Sequence, residues 1–258
     1  LHLIPDMIAL SFLNNVLPAR AGELLFPLLM KQRHQVAVGQ SLALLLIARI
    51  FDFLAVSSLF LIFTLAVQDE LSIGARQVIL TAAVVLTPSL ILLATLPWLS
   101  KSSLAMLDWL LHRLGVAHHR LGQWVHKLGE RAVTAFIQVH HPRRYLKTFI
   151  WSIAGWLCTF AWFAAFLKAF DLPTPYALVV VGATFATLAK AIPFITVGGF
   201  GAHDAGWAFG FRQMGMDWQT AVASGLAVNI LTLFASAVCS AIAFGYIHWQ
   251  RQNKLKAV

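Results

Sequence analysis

Residues 14–23 read NNVLPARAGE: two amides, a proline, an arginine, a glycine and a glutamate, with LHLIPDMIALSFL before them and LLFPLLM after. Proline removes a backbone donor and glycine widens the allowed dihedrals, so a helix reaching this stretch stops there. In hydrocarbon the freed backbone groups would be costly, so such a break must face protein or a wet cavity. Asn14 and Asn15 supply donors and acceptors at that point.

The surrounding chain makes hydrocarbon the relevant solvent. Of 258 residues, 59% are hydrophobic and 11% charged, and the mean hydropathy is +0.77. Soluble domains carry about 25% charged residues. The composition is that of an integral membrane protein. Its apolar runs are continuous and do not alternate, which favours helices over a β-barrel. The formal charge of +9 sits between and beside apolar runs, where it orients spans and calls for no nucleic acid. Cys158 and Cys239 fall in apolar helices and read as inert core residues. No signal peptide is visible, and the expectation is that Leu1 is not the natural beginning.

Outward from the break, residues 36–67 form a long apolar run with Lys31 and Arg33 before it and Asp69 and Glu70 after it, so its amino end is expected in the cytoplasm. Residues 75–98 return inward, with Pro88 a candidate kink. Residues 100–147 carry eight Lys/Arg, two acids and six histidines. Leu107, Leu110, Leu111 and Leu114 recur there at helical spacing, which describes amphipathic helices at the cytoplasmic interface. The pairs His118/His119 and His140/His141 point in different directions on a helix and read as a solvated basic face, not a metal site.

Residues 148–170 form a further span leading to the turn DLPTP. The last span, residues 221–247, ends in Arg251, Lys254 and Lys256 and so has a cytoplasmic carboxyl end. Residues 176–217 must then start and finish outside, dipping in as a helical hairpin broken at AIPFITVGGFGAHDAG. Residues 1–35 are the matching hairpin if they also begin inside. Both breaks share an order: aliphatic, proline, glycine, acid, then a long helix with a buried polar residue. Arg49 follows Glu23 by twenty-six positions and Asn229 follows Asp204 by twenty-five. The charge flanks run the two long helices in opposite directions, the pattern of an inverted-topology repeat.

The fold expected is therefore all-α: a polytopic helical membrane protein with two inverted re-entrant hairpins. It is one integral membrane domain, 1–258, comprising a first half 1–97 with hairpin 1–35, an interfacial segment 98–147, and a second half 148–258 with hairpin 176–217. Intramembrane ionisable residues mark pathways by default. Arg49 and Asp52, three apart on one helix face, can pair; Arg20, Glu23, Lys190, His203 and Asp204 lie at or beside the breaks.

The stretches FLNNVLPARAGELLFPLLM and ALLLIARIFDFLAV, with AIPFITVGGFGAHDAG later, resemble the flippase-like transmembrane domain attached to lysylphosphatidylglycerol synthases and also found alone. The resemblance covers most of the chain. It implies a polytopic helical domain that moves a lipid, such as an aminoacylated phospholipid, between leaflets. Asn14, Asn15, Pro18, Arg20, Gly22, Glu23, Arg49 and Asp52 match the family pattern. His203-Asp204 stands where the family usually has Arg-Glu, which keeps the acid, weakens the positive partner and leaves the headgroup open.

The functional expectation is a lipid translocase in the cytoplasmic membrane, with the basic segment 100–147 and the carboxyl terminus in the cytoplasm. Its substrate-binding set is Asn14, Asn15, Arg20, Glu23, Arg49, Asp52, Lys190, His203, Asp204 and Asn229. Arg20, Arg49 and Lys190 would hold phosphate; Glu23, Asp52 and Asp204 would hold an amine or a coupling proton. No catalytic residue, metal or cofactor is assigned, and no phosphate-binding GxxxxGK[ST] loop occurs. The partners are membrane lipids with an anionic phosphate or aminoacyl headgroup, with room for a lipid-synthesising enzyme. Two alternatives stand beside this reading. One is an intramembrane enzyme on lipid-linked substrates with Glu23 or Asp204 as general base, and the other is a membrane scaffold whose basic segment docks a lipid-modifying enzyme.

Overall fold

The structure is a computed structural model that describes residues 3–17, 22–69, 71–95, 109, 111–113, 123, 126–127, 130, 142–191 and 197–256. The described residues are helical throughout, joined by short turns, with no strand among them. In chain order the helices are α1 (Leu3–Val16), α2 (Gly22–His34), α3 (Val38–Val67), α4 (Ile73–Thr95), α5 (Pro142–Ala169), α6 (Tyr176–Ala191), α7 (Ala202–Gln213) and α8 (Trp218–Lys256). Among the described residues, three stretches are long and apolar enough to cross a membrane: Val38–Val67, Arg143–Ala169 and Trp218–Trp249. These are the runs expected at 36–67, 148–170 and 221–247. Ile73–Pro88 and Tyr176–Ala191 are shorter apolar helices.

The chain divides into two compact units. One comprises Leu1–Phe26 with Trp162–Val258, the other Pro27–Ala161. In the first, α7 packs along α6, and α8 packs against both α1 and α7. The α6–α7 contact is set by small residues. A Cβ added at Gly210 would run into the Gly182 carbonyl oxygen, and one at Gly206 would come 2.6 Å from the Phe185 carbonyl oxygen. Close backbone approach of this kind is how helices associate where no hydrophobic driving force separates lipid from protein. Trp207 fills the interior, fully buried, tilted against Phe211 at 4.4 Å and edge-on to Phe163 at 5.3 Å. Its indole N–H, which needs an acceptor when buried, donates to Ser224 Oγ at 3.2 Å.

In the second unit α3 packs on α4. Phe51, Ala55 and Ile79 are fully buried there, and the Tyr145 ring lies 4.8 Å from that of Phe51. Within the interfacial segment, Trp109, Leu111, His112 and Arg113 are helical. Arg113 sits 5.0 Å over the Trp109 ring, an i,i+4 cation–π contact. The pairs His118/His119 and His140/His141 lie outside the described residues.

The ends of the helices follow local chemistry. After α5 the chain turns at Asp171, which takes φ 58° and lets the Leu172 N–H reach back to the Leu167 carbonyl at 2.9 Å, a left-handed helix cap without glycine. Asp217 caps α8 by accepting from the N–H groups of Gln219 and Thr220 at 3.0 and 2.9 Å. One expectation is corrected. Cys158 and Cys239 lie on α5 and α8 as read, but both are exposed. An apolar surrounding sequence does not distinguish a helix face turned to its neighbours from one turned away.

Candidate functional site

Each break leaves two short helices. α1 and α2 have 14 and 13 residues, and α6 and α7 have 16 and 12. At 1.5 Å per residue these run to roughly 18–24 Å, short of the ~30 Å hydrocarbon core. The glycines of the second break carry the turn. Gly198, Gly199 and Gly201 take φ of 66°, 76° and 90°, a region that side chains disfavour. Gly201 donates its N–H to Asp204 Oδ2 at 3.0 Å, which satisfies one of the orphan donors at the start of α7. Pro193 lies outside the described residues, as do Pro18 and Arg20 in the first break.

The end of α1 and the α6–α7 connection are joined. The Gly198 N–H donates to the Val16 carbonyl at 3.1 Å. Asn229, on α8 and almost fully buried, donates its Nδ2 to the Gly198 carbonyl at 3.2 Å. Lys190 Nζ, from the last turn of α6, donates to Asn15 Oδ1 at 3.0 Å. Its Cε lies 3.3 Å from where a Cβ on Gly199 would be. A side chain at 199 would be strained by the φ of 76° and would also crowd the lysine stem.

Next to that junction Asn14 Nδ2 donates to Glu23 Oε1 at 3.2 Å, linking α1 to the first turn of α2. Gly22 makes the link possible, because a Cβ there would press on the backbone of Leu13 and Asn14. Asn14 Oδ1 is buried and has no hydrogen-bond partner among the described residues. His203 is buried, its Nδ1 3.4 Å from Asp204 Oδ1, at the long end of hydrogen-bond geometry. The imidazole lies near-parallel to the Trp207 ring at 5.8 Å and edge-on to Phe163 at 6.4 Å. Lys190 is close enough to Asp204 for their charges to interact.

Of the residues read from sequence, the first unit thus gathers Asn14, Asn15, Glu23, Lys190, His203, Asp204 and Asn229. Arg49 and Asp52 belong to the second unit. There Arg49 donates to Asp52 Oδ2 at 2.9 Å, with side chains 38% and 35% exposed. The pair sits near the middle of α3, where an ion pair open to lipid would be most costly. The structure adds a third member that sequence reading missed. Trp156 of α5 donates its indole N–H to Asp52 Oδ1 at 3.3 Å. A tryptophan at mid-span, away from the interfaces where the residue collects, was the available signal.

Long apolar helices and a charged pair within one of them define the class: a helical membrane protein with polar residues held inside its spans. Residues 6–240 match the family model described as the lysylphosphatidylglycerol synthase TM region, and the chain belongs to that family, whose context is membrane lipid. No curated protein and no solved structure matches it.

Proposed function

We propose that this protein is a lipid translocase. It moves a lipid with a polar, phosphate-bearing headgroup between leaflets of the cytoplasmic membrane and leaves the lipid's covalent bonds unchanged. What carries the reading is the junction of the two chain breaks, where Lys190 meets Asn15 and Gly198 bridges Val16 and Asn229. Four helices too short to cross alone, ending at one polar meeting point, suit two re-entrant hairpins entering from opposite faces as an inverted repeat. The junction would relieve the desolvation of a headgroup while its acyl chains stay in the bilayer; the Arg49–Asp52 pair, within the other unit, supplies a further guanidinium suited to phosphate. Family membership supports the lipid, and an aminoacylated phospholipid is the cargo the family description suggests. The basic segment 100–147 and the carboxyl end are assigned to the cytoplasm from their charge.

The test is headgroup exposure in reconstituted vesicles. Arg49→Ala and Glu23→Gln are each expected to slow translocation at least tenfold relative to the parent. Unchanged rates in both would reject the roles assigned to these residues. A lipid covalently altered after incubation would favour an enzyme instead.

A further inference from the structure

Asp52 and Trp156 stand near the midpoints of Val38–Val67 and Pro142–Ala169, two helices that meet through this polar contact in the middle of apolar sequence. The carboxylate divides its oxygens. Oδ2 takes the Arg49 guanidinium at 2.9 Å and Oδ1 takes the Trp156 indole N–H at 3.3 Å. Trp156 is itself held by packing, its ring 6.0 Å from that of the fully buried Phe160 on the next turn. An indole can only donate, so its sole polar contribution at this point is to occupy an acceptor.

We propose that Trp156 is a specificity-determining residue: by engaging Asp52 Oδ1 it withholds that carboxylate from cationic groups, so that the Arg49–Asp52 site reads the anionic phosphate of a headgroup and not an amine. The inference rests on the lipid-translocase reading for its cargo, but concerns selectivity, which binding alone can measure. An ammonium approaching Asp52 must compete with a donor on each oxygen, one of them a guanidinium of its own charge sign. A phosphate meets the guanidinium without displacing the indole. Asp52 is then a positioning residue for Arg49 and not a ligand of the amine.

Replacing Trp156 by Phe keeps an aromatic ring near Phe160 and deletes the N–H together with the volume of one fused ring, which is why its melting temperature is read alongside. The full chain in detergent is titrated with phosphatidylglycerol and with its lysyl ester, and retention of each lipid is read by native mass spectrometry. The parent is expected to bind phosphatidylglycerol at least as tightly as the lysyl ester. In Trp156→Phe the preference should move about tenfold toward the lysyl ester, the scale of one charge-assisted hydrogen bond discounted for partial exposure. Adding Asp52→Asn to that variant should cancel the shift. An unchanged preference in a Trp156→Phe protein that melts like the parent overturns the proposal. If Trp156→Phe does not fold, the ratio of the two affinities in Asp52→Asn decides: a loss shared by phosphatidylglycerol and its lysyl ester to within twofold supports the proposal, and a tenfold loss confined to the lysyl ester overturns it. A binding shift in protein that moves no lipid in vesicles would uphold the selectivity and remove the translocase reading.

Discussion

Lys190 and Asn15, 175 positions apart, meet at 3.0 Å and tie the last turn of α6 to the last turn of α1. If the two breaks part during translocation, this bond must open in each cycle. Asn15→Asp would turn a neutral acceptor into a charged one and strengthen the contact. The expected result is a higher melting temperature in detergent together with slower lipid translocation. Faster or equal translocation with a raised melting temperature would mean that the junction stays closed throughout.

Gly210 offers a sharper test of the α6–α7 packing. Gly→Ala inside a helix ordinarily stabilises by about 0.5–1 kcal/mol through propensity. At 210 the new methyl would collide with the Gly182 carbonyl, which is backbone and cannot swing aside. Overpacking costs about 1–3 kcal/mol, so the sign should reverse. Gly245→Ala, with nothing within 4 Å of its Cβ, is the control and should be neutral or stabilising. Comparing the two variants by thermal unfolding checks this; equal melting temperatures would contradict the packing.

Much of this architecture was legible in the sequence because the bilayer leaves few solutions. Apolar runs marked the three spanning stretches, and the three-residue spacing of Arg49 and Asp52 announced their pair, found at 2.9 Å. Gly198, Gly199 and Gly201 marked the turn before α7, whereas Pro27 and Pro88 lie within helices and the prolines of the two breaks lie outside the described residues. What sequence could not supply was partnership between distant segments. Nothing near Trp156 points to Asp52, 104 positions earlier, and nothing near Gly198 announces that its N–H and carbonyl are taken by Val16 and Asn229. Such contacts depend on how helices are rotated and seated, which periodicity sets only for strongly amphipathic helices. The spans here are apolar nearly all round, so the same sequence is compatible with many rotations, and the exposure of both cysteines illustrates the consequence.

Asn229 is a substrate ligand on the sequence reading, and its hydrogen bond to Gly198 gives it a second duty. It is 2% exposed and its Nδ2 holds the Gly198 carbonyl, fixing the glycine turn against α8. Asn229→Leu keeps the branched side-chain shape but leaves that carbonyl without its donor, a loss of about 1–3 kcal/mol for a buried acceptor. The expected outcome is a lowered melting temperature accompanied by faster amide exchange at residues 198–201, read by hydrogen–deuterium exchange. Destabilisation without altered exchange there would place the effect elsewhere on α8.

Asp217 precedes the Trp218–Trp249 span and gives a pH signature outside the membrane. The Thr220 hydroxyl and N–H, with the Gln219 N–H, hold its carboxyl below the ordinary aspartate value of 3.8. A carboxyl whose folded value is depressed binds its proton less readily when folded than when unfolded. Its stabilising contribution is therefore complete above the unfolded value and is lost as pH falls through the folded one. Asp217→Ala should thus melt below the parent near neutral pH, because the first turn of α8 loses its cap. The gap should close as the pH falls from 3.8 through the lower folded value, where the parent's carboxylate takes up its proton. Melting followed by circular dichroism across that range is the measurement. A gap that stays constant down to the acid end would show that the cap acts through shape and not through the charge on Asp217.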